Sequence, residues 1–138
     1  MADHRRAGAE QLEVESASPT SDLRRLWLRV AVSVALHNTD DHLRNHGVIR
    51  SDGWRLAPAF DINPNPAAAE ARATTIAGST QADEVDALIT SAPLFRLTTD
   101  EARSTLAQVS AAVSRWPEVA ARNHVTGEDA GVLSDAIA

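Results

Sequence analysis

A mainly α-helical domain with one short β-hairpin is the fold class that this sequence predicts, and three observations lead there. Apolar residues recur at a three–four spacing over residues 23–34 and again over 102–116, the period of a helix face. Aromatic residues make up only 4% of the chain while alanine is used heavily, a composition that favours helix. Asp52-Gly53 lies between two short apolar segments, where a tight hairpin turn prefers that pair. With 138 residues, 43% of them hydrophobic, the chain has the size and core material of one domain.

Along the chain, residues 1–20 are small and polar, with Arg5 and Arg6 among Gly, Glu, Ser and Pro, and read as a flexible lead-in. Ser21 offers a helix cap and Asp22 a first-turn acid. The helix they open runs to about Leu36, its stripe formed by Leu23, Leu26, Trp27, Val30 and Val34 and widened by Leu28, Ala31, Val32 and Ala35. A helix apolar on most sides belongs inside a larger packed body. Residues 37–45 read as a polar loop with a helical turn, followed by a hairpin over about 47–57. Pro58, Pro64 and Pro66 hold the next segment extended or in turns, and 67–80 reads as a loop. Three or four helices complete the chain. Val85, Leu88 and Ile89 mark one; Thr98 and Glu101 form a capping box before Ala102, Leu106, Val109, Val113 and Trp116. Pro117 suits the first position of a further short helix, and Thr126 with Asp129 signals a terminal one over 126–138. Trp27, Trp54 and Trp116 read as core anchors.

Composition excludes several kinds of chemistry. Without cysteine there are no disulfides, thiolate zinc sites or thiol nucleophiles. All 13 basic residues are arginine, so Schiff-base chemistry and lysine-anchored phosphate binding have no lysine to use in this sequence. A net charge of -6 argues against a nucleic-acid surface. The longest apolar run is broken by Arg29 and is too short for a membrane span, and no secretory signal is evident. The expectation is a cytoplasmic protein that binds neither nucleic acid nor membrane.

Polar residues crowd between His37 and Asn65. His37-Asn38-Thr39-Asp40-Asp41-His42-Leu43-Arg44-Asn45-His46 follows an apolar helix and precedes a strand, and Phe60-Asp61-Ile62-Asn63 follows the hairpin. Phosphoryl transfer would give this arrangement a reason: it needs a carboxylate to take the acceptor's proton and magnesium to neutralise developing charge. Protein kinases place their catalytic Asp five residues before a metal-binding Asn and a second metal-binding Asp past a short hairpin. Asp40 and Asn45 have that offset, and Asp61 lies past the hairpin. Asn45 and Asp61 both offer the hard oxygen donors that magnesium prefers. His42 and His46, four apart with His37 nearby, would also permit a zinc site. The Glu of His-Glu-x-x-His is absent, since Leu43 holds its place, which favours a structural role for these histidines. Asp41 reads as a solvated acid or loop cap, and Arg24, Arg25 and Arg44 as solvated or paired with the surplus acids.

Asn38-Thr39-Asp40-Asp41-His42-Leu43-Arg44-Asn45-His46-Gly47, together with Trp54-Arg55-Leu56-Ala57-Pro58-Ala59-Phe60-Asp61-Ile62-Asn63-Pro64, resembles the C-terminal region of HipA-type serine/threonine kinases over roughly residues 20–125. The resemblance implies a kinase-like C-terminal lobe over 21–125. It implies Asp40 as the catalytic aspartate, Asn45 as a magnesium ligand beside the phosphates, and Asp61 as the counterpart of the first acid of the kinase Asp-Phe-Gly. His42 would hold the shape of the loop. ATP and Mg2+ are the implied cofactors, and a protein substrate the implied acceptor. Members are usually toxins, so a HipB-like antitoxin or a separate N-terminal kinase portion is an implied partner. The six glycines are scattered singly and no lysine is present, so the nucleotide-cradling part of a working kinase is not found in this sequence. Loss of one electrostatic clamp costs on the order of 10²–10³ in rate. The chain therefore reads as a C-terminal lobe inactive alone, with a non-catalytic remnant or antitoxin-binding module as the alternative.

Overall fold

The structure is a computed structural model that describes residues 4–65 and 83–137. Its elements are helices α1 (His4–Glu15) and α2 (Pro19–Ala35), strands β1 (Val48–Ser51) and β2 (Gly53–Leu56), then helices α3 (Glu84–Ser91), α4 (Thr99–Val113), α5 (Trp116–Arg122) and α6 (Glu128–Ile137). The mainly α architecture with one antiparallel hairpin is the one expected. The loop expected over 67–80 lies outside the described residues, which exclude 66–82.

α2 is the axis of the fold. It packs against α1, α3, α4, β2 and the 3-10 turn Ala92–Phe95. Leu23 and Trp27 are fully buried and Val30 and Ala31 nearly so, in one cluster with Leu88, Ala92, Phe95, Leu97, Ala102 and Val109. The Trp27 indole Nε1 donates to the Leu88 carbonyl at 3.1 Å, which satisfies the one polar atom this large side chain brings into the core. α4 begins with the expected capping box: the Glu101 amide donates to Thr98 Oγ1 and the Thr98 amide to the Glu101 carboxylate.

Residues 4–15 depart from the expected flexible lead-in. They form α1, whose Ala9 and Leu12 join the core against α2. Among the described side chains of this helix only these two are buried, too sparse to show as periodicity, and the helix is held by what it packs on rather than by its own sequence. α2 also starts earlier than expected. Pro19 occupies its first turn and Ser18 the cap position, without a side-chain capping bond. Asp22 lies in the first turn as expected but is fully buried, and Arg29 is only 7% exposed.

The hairpin pairs Val48 with Leu56 and Ser51 with Gly53, leaving Asp52 at the tip. Gly53 has φ +107°, and a Cβ there would stand 2.7 Å from the Ala17 Cβ, so a side chain is excluded both by conformation and by space. Ala17 donates its amide to the Trp54 carbonyl at 2.8 Å, which fastens the hairpin to the α1–α2 connection. The Trp54 side chain is not a core anchor: it is 42% exposed, two residues from the hairpin tip. Trp27 alone of the three tryptophans is fully buried, and Trp116 is half-buried at the start of α5.

Candidate functional site

The polar loop begins where α2 ends. Leu36 closes the helix, His37 turns the chain with φ +53°, and the Asn38 amide returns to the Ser33 carbonyl at 2.8 Å. Asn38 and Thr39 are buried beneath the loop while Asp40 is exposed at its surface. The expected helical turn is a 3-10 segment, Leu43–Asn45. Asn45, 8% exposed, directs its Nδ2 to the Asp40 carbonyl at 3.4 Å, so the residue five positions on braces the Asp40 peptide.

Asp41 faces inward. Its Oδ1 lies 2.9 Å from His46 Nε2, and both side chains are buried. This contact crosses the 3-10 turn and ties its two ends together. The expectation of a solvated Asp41 is thereby corrected: Asp41 is 2% exposed, turned inward onto His46. The three histidines do not converge on a common point with other ligands. Among the described residues no group of three or more His, Asp or Glu side chains is placed to hold a metal ion.

The second polar cluster arrives from the hairpin. Asp61 has φ +56°, a left-handed conformation that Asp tolerates better than most residues, and Asn63 Nδ2 donates to Asp61 Oδ1 at 3.1 Å. Two bonds then return the chain to the first loop. The Asn65 amide donates to the His37 carbonyl at 3.2 Å and Asn65 Nδ2 to Thr39 Oγ1 at 2.5 Å.

The result is a small open cavity of about 200 Å3 lined by Asn38, Asp40, Asp61, Asn63, Pro64 and Asn65. Of the residues singled out in the sequence, Asp40 and Asp61 line it together. Asn45 does not line it and stands behind Asp40. Asn38 and Asn65 received no role in the sequence. Asparagine is common in loops for its turn-forming ability, and nothing local distinguishes a cavity wall from a turn. All six lining residues come from two loops brought together, and the two carboxylates are the only charged groups among them. Oxygen-rich and anionic, this cavity suits a hard divalent cation or a cation-bound phosphate group, and it suits a bare anion poorly.

Residues 6–116 match the family model of the HipA-like C-terminal domain, and the matched segment begins inside α1. No curated protein and no solved structure gives a significant match.

Proposed function

This chain belongs to the family of HipA-like C-terminal domains, and from that membership we propose that it supplies the catalytic loop of a protein serine/threonine kinase, passing the terminal phosphoryl group of ATP to a protein hydroxyl. The observation that carries the proposal is the meeting of Asp40 and Asp61 in one cavity, although a whole hairpin separates them in sequence. In this reading Asp40 accepts the proton of the attacking hydroxyl. Asp61 holds magnesium, its carboxylate oriented by the Asn63 amide. Asn45 is assigned to magnesium by the family resemblance alone: its Nδ2 is engaged with the Asp40 carbonyl, which leaves Oδ1 as the candidate donor, and it does not line the cavity. Bound there, magnesium would offset the charge of the phosphates.

The nucleotide needs more than this cavity. No lysine occurs in the sequence, so the cation that anchors the phosphates in ordinary kinases comes from an N-terminal kinase portion, and without it the chain is inactive. Reconstitution tests this. Mixed with a polypeptide carrying the glycine-rich loop and lysine, the chain should transfer labelled phosphate from ATP to a protein. Asp40→Asn or Asp61→Asn should lower that rate by at least about 10³. Transfer that persists in either variant overturns the roles assigned here.

One observation favours a second reading, a non-catalytic module that docks a HipB-like antitoxin. Val48, Ile49, Trp54 and Phe60 are each between 42% and 49% exposed on and just beyond the hairpin, the kind of apolar surface that a partner covers. A stable complex with such an antitoxin, in a chain that binds no Mg-ATP even beside the N-terminal portion, would establish this reading instead.

A further inference from the structure

Two buried charges on α2 have no part in the chemistry just described. Asp22 is fully buried and Arg29 is 7% exposed. Seven residues apart, they lie about two turns from each other on one face of the helix. They grip consecutive residues of another segment. Asp22 Oδ2 accepts the Leu56 amide at 3.0 Å, and Arg29 Nη2 donates to the Ala57 carbonyl. Leu56 ends β2 and Ala57 is the first residue beyond it on the way to Asp61. From the other side, the Ala57 amide donates to the Gly47 carbonyl at 2.9 Å, so the exit of the hairpin is held across both edges. Arg29 also attracts Asp41, the neighbour of Asp40.

Packing alone does not account for these charges. Arg29 Nη1 is buried without a hydrogen-bond partner among the described residues, so the guanidinium is not fully satisfied where it lies. Replacing buried ionic groups with apolar side chains is often neutral or stabilising. An apolar residue at position 29 would extend the surface of Leu26, Val30 and Ala31 without desolvating a charge. It could not, however, set the direction of the Ala57 carbonyl.

We propose that Asp22 and Arg29 are positioning residues that set the path of the chain from β2 to Asp61, so that the Asp61 carboxylate faces the cavity it shares with Asp40. The geometric claim concerns the chain path, and only the use of the cavity for a divalent cation rests on the phosphoryl-transfer reading. The test compares wild type, Arg29→Met and Arg29→Lys as full chains. Two quantities are read: the NMR position of the Asn63 side-chain amide, which reports its bond to Asp61, and the affinity for Mn2+. Arg29→Met should move the Asn63 signal and weaken Mn2+ about tenfold, the scale on which groups behind metal ligands act. Arg29→Lys, which can still donate to Ala57, should recover most of both. The amides of Thr98 and Glu101 at the α4 cap should stay in place. A folded Arg29→Met with an unmoved Asn63 signal overturns the proposal, as does equal displacement of the α4 cap signals, which would mean general loosening. Where Arg29→Met fails to fold, Asp22→Asn, which keeps the shape and removes the charge, is read in the same way. An Asn63 shift in a protein whose wild type binds no Mn2+ supports the positioning role and counts only against the kinase-like reading.

Discussion

The two sides of α2 fasten the molecule by different means. Toward α3 and α4 it presents Leu23, Trp27 and Val30, and the contact is apolar at its centre, with the Trp27–Leu88 hydrogen bond inside it and the exposed Arg24–Glu101 ion pair at its edge. Toward the hairpin it presents Asp22 and Arg29, bonded to the backbone of Leu56 and Ala57. Apolar packing depends on area and shape and tolerates small slides. Hydrogen bonds to named backbone atoms do not, because they weaken steeply with angle and distance. The helical side of this protein needs only to be stable, whereas the loop side has to place Asp40 and Asp61 within one cavity of about 200 Å3. Stability is assigned to one face of the helix and placement to the other.

That contrast can be broken most forcefully on the apolar side. Trp27→Ala removes the largest fully buried side chain and takes the indole donor from the Leu88 carbonyl, leaving it the Ser91 hydroxyl. A loss of about 3–5 kcal/mol is expected, read as a fall in the urea midpoint. If unfolding were unaffected, α2 would not be the axis of the fold.

On the polar side the expected loss is smaller but depends on pH. Burial by itself would raise the Asp22 carboxyl, yet the bonds from the Ser16 hydroxyl, the Leu56 amide and Arg55 outweigh it and hold the pKa below the ordinary 3.8. The unfolded chain therefore takes up this proton first as pH falls. The carboxylate's contribution is complete well above pH 3.8 and declines as acid approaches the folded value. Asp22→Asn should cost about 1–3 kcal/mol at neutral pH, and the difference from wild type should shrink in acid. A difference that stays constant from pH 7 into acid would show that the charge is immaterial and only the shape of the side chain matters.

The smallest effect is expected at the exposed edge of the apolar side, where Arg24 of α2 meets Glu101. Thr98→Ala removes the α4 cap, a local device at the exposed start of a helix, and should cost about 1 kcal/mol by thermal or urea unfolding. It should leave the signals of the Asp40–Asp61 cavity unchanged. Movement there would join the two regions that the comparison separates.

Some of this was legible in the sequence because its cause is local. The Thr98–Glu101 box, the Asp52-Gly53 turn and the three–four stripe of α2 each depend on residues within a few positions of one another, and all three occur as read. The polar loop was legible too, as an unusual density of Asp, Asn and His, and so was the spacing of Asp40 and Asn45. What escaped is non-local. α1 carries too few apolar residues to announce itself, and its Ala9 and Leu12 are buried only because α2 lies beneath them. Trp54 reads as a core residue by type but stands two residues from the tip of the hairpin, beyond its packed end at Leu56, and is 42% exposed.

By itself, then, the amino-acid sequence determined the helical class, the hairpin and the family, since period, turn chemistry and motif are properties of neighbouring residues. The tertiary structure decided which charges went inside and which carboxylates met. Asp22 looks like any first-turn acid until Leu56 and Arg55 arrive beside it, and Asp41 like any loop acid until His46 closes on it. A buried charge is stable only with its partners in place, and those partners come from segments that the chain brings together only on folding.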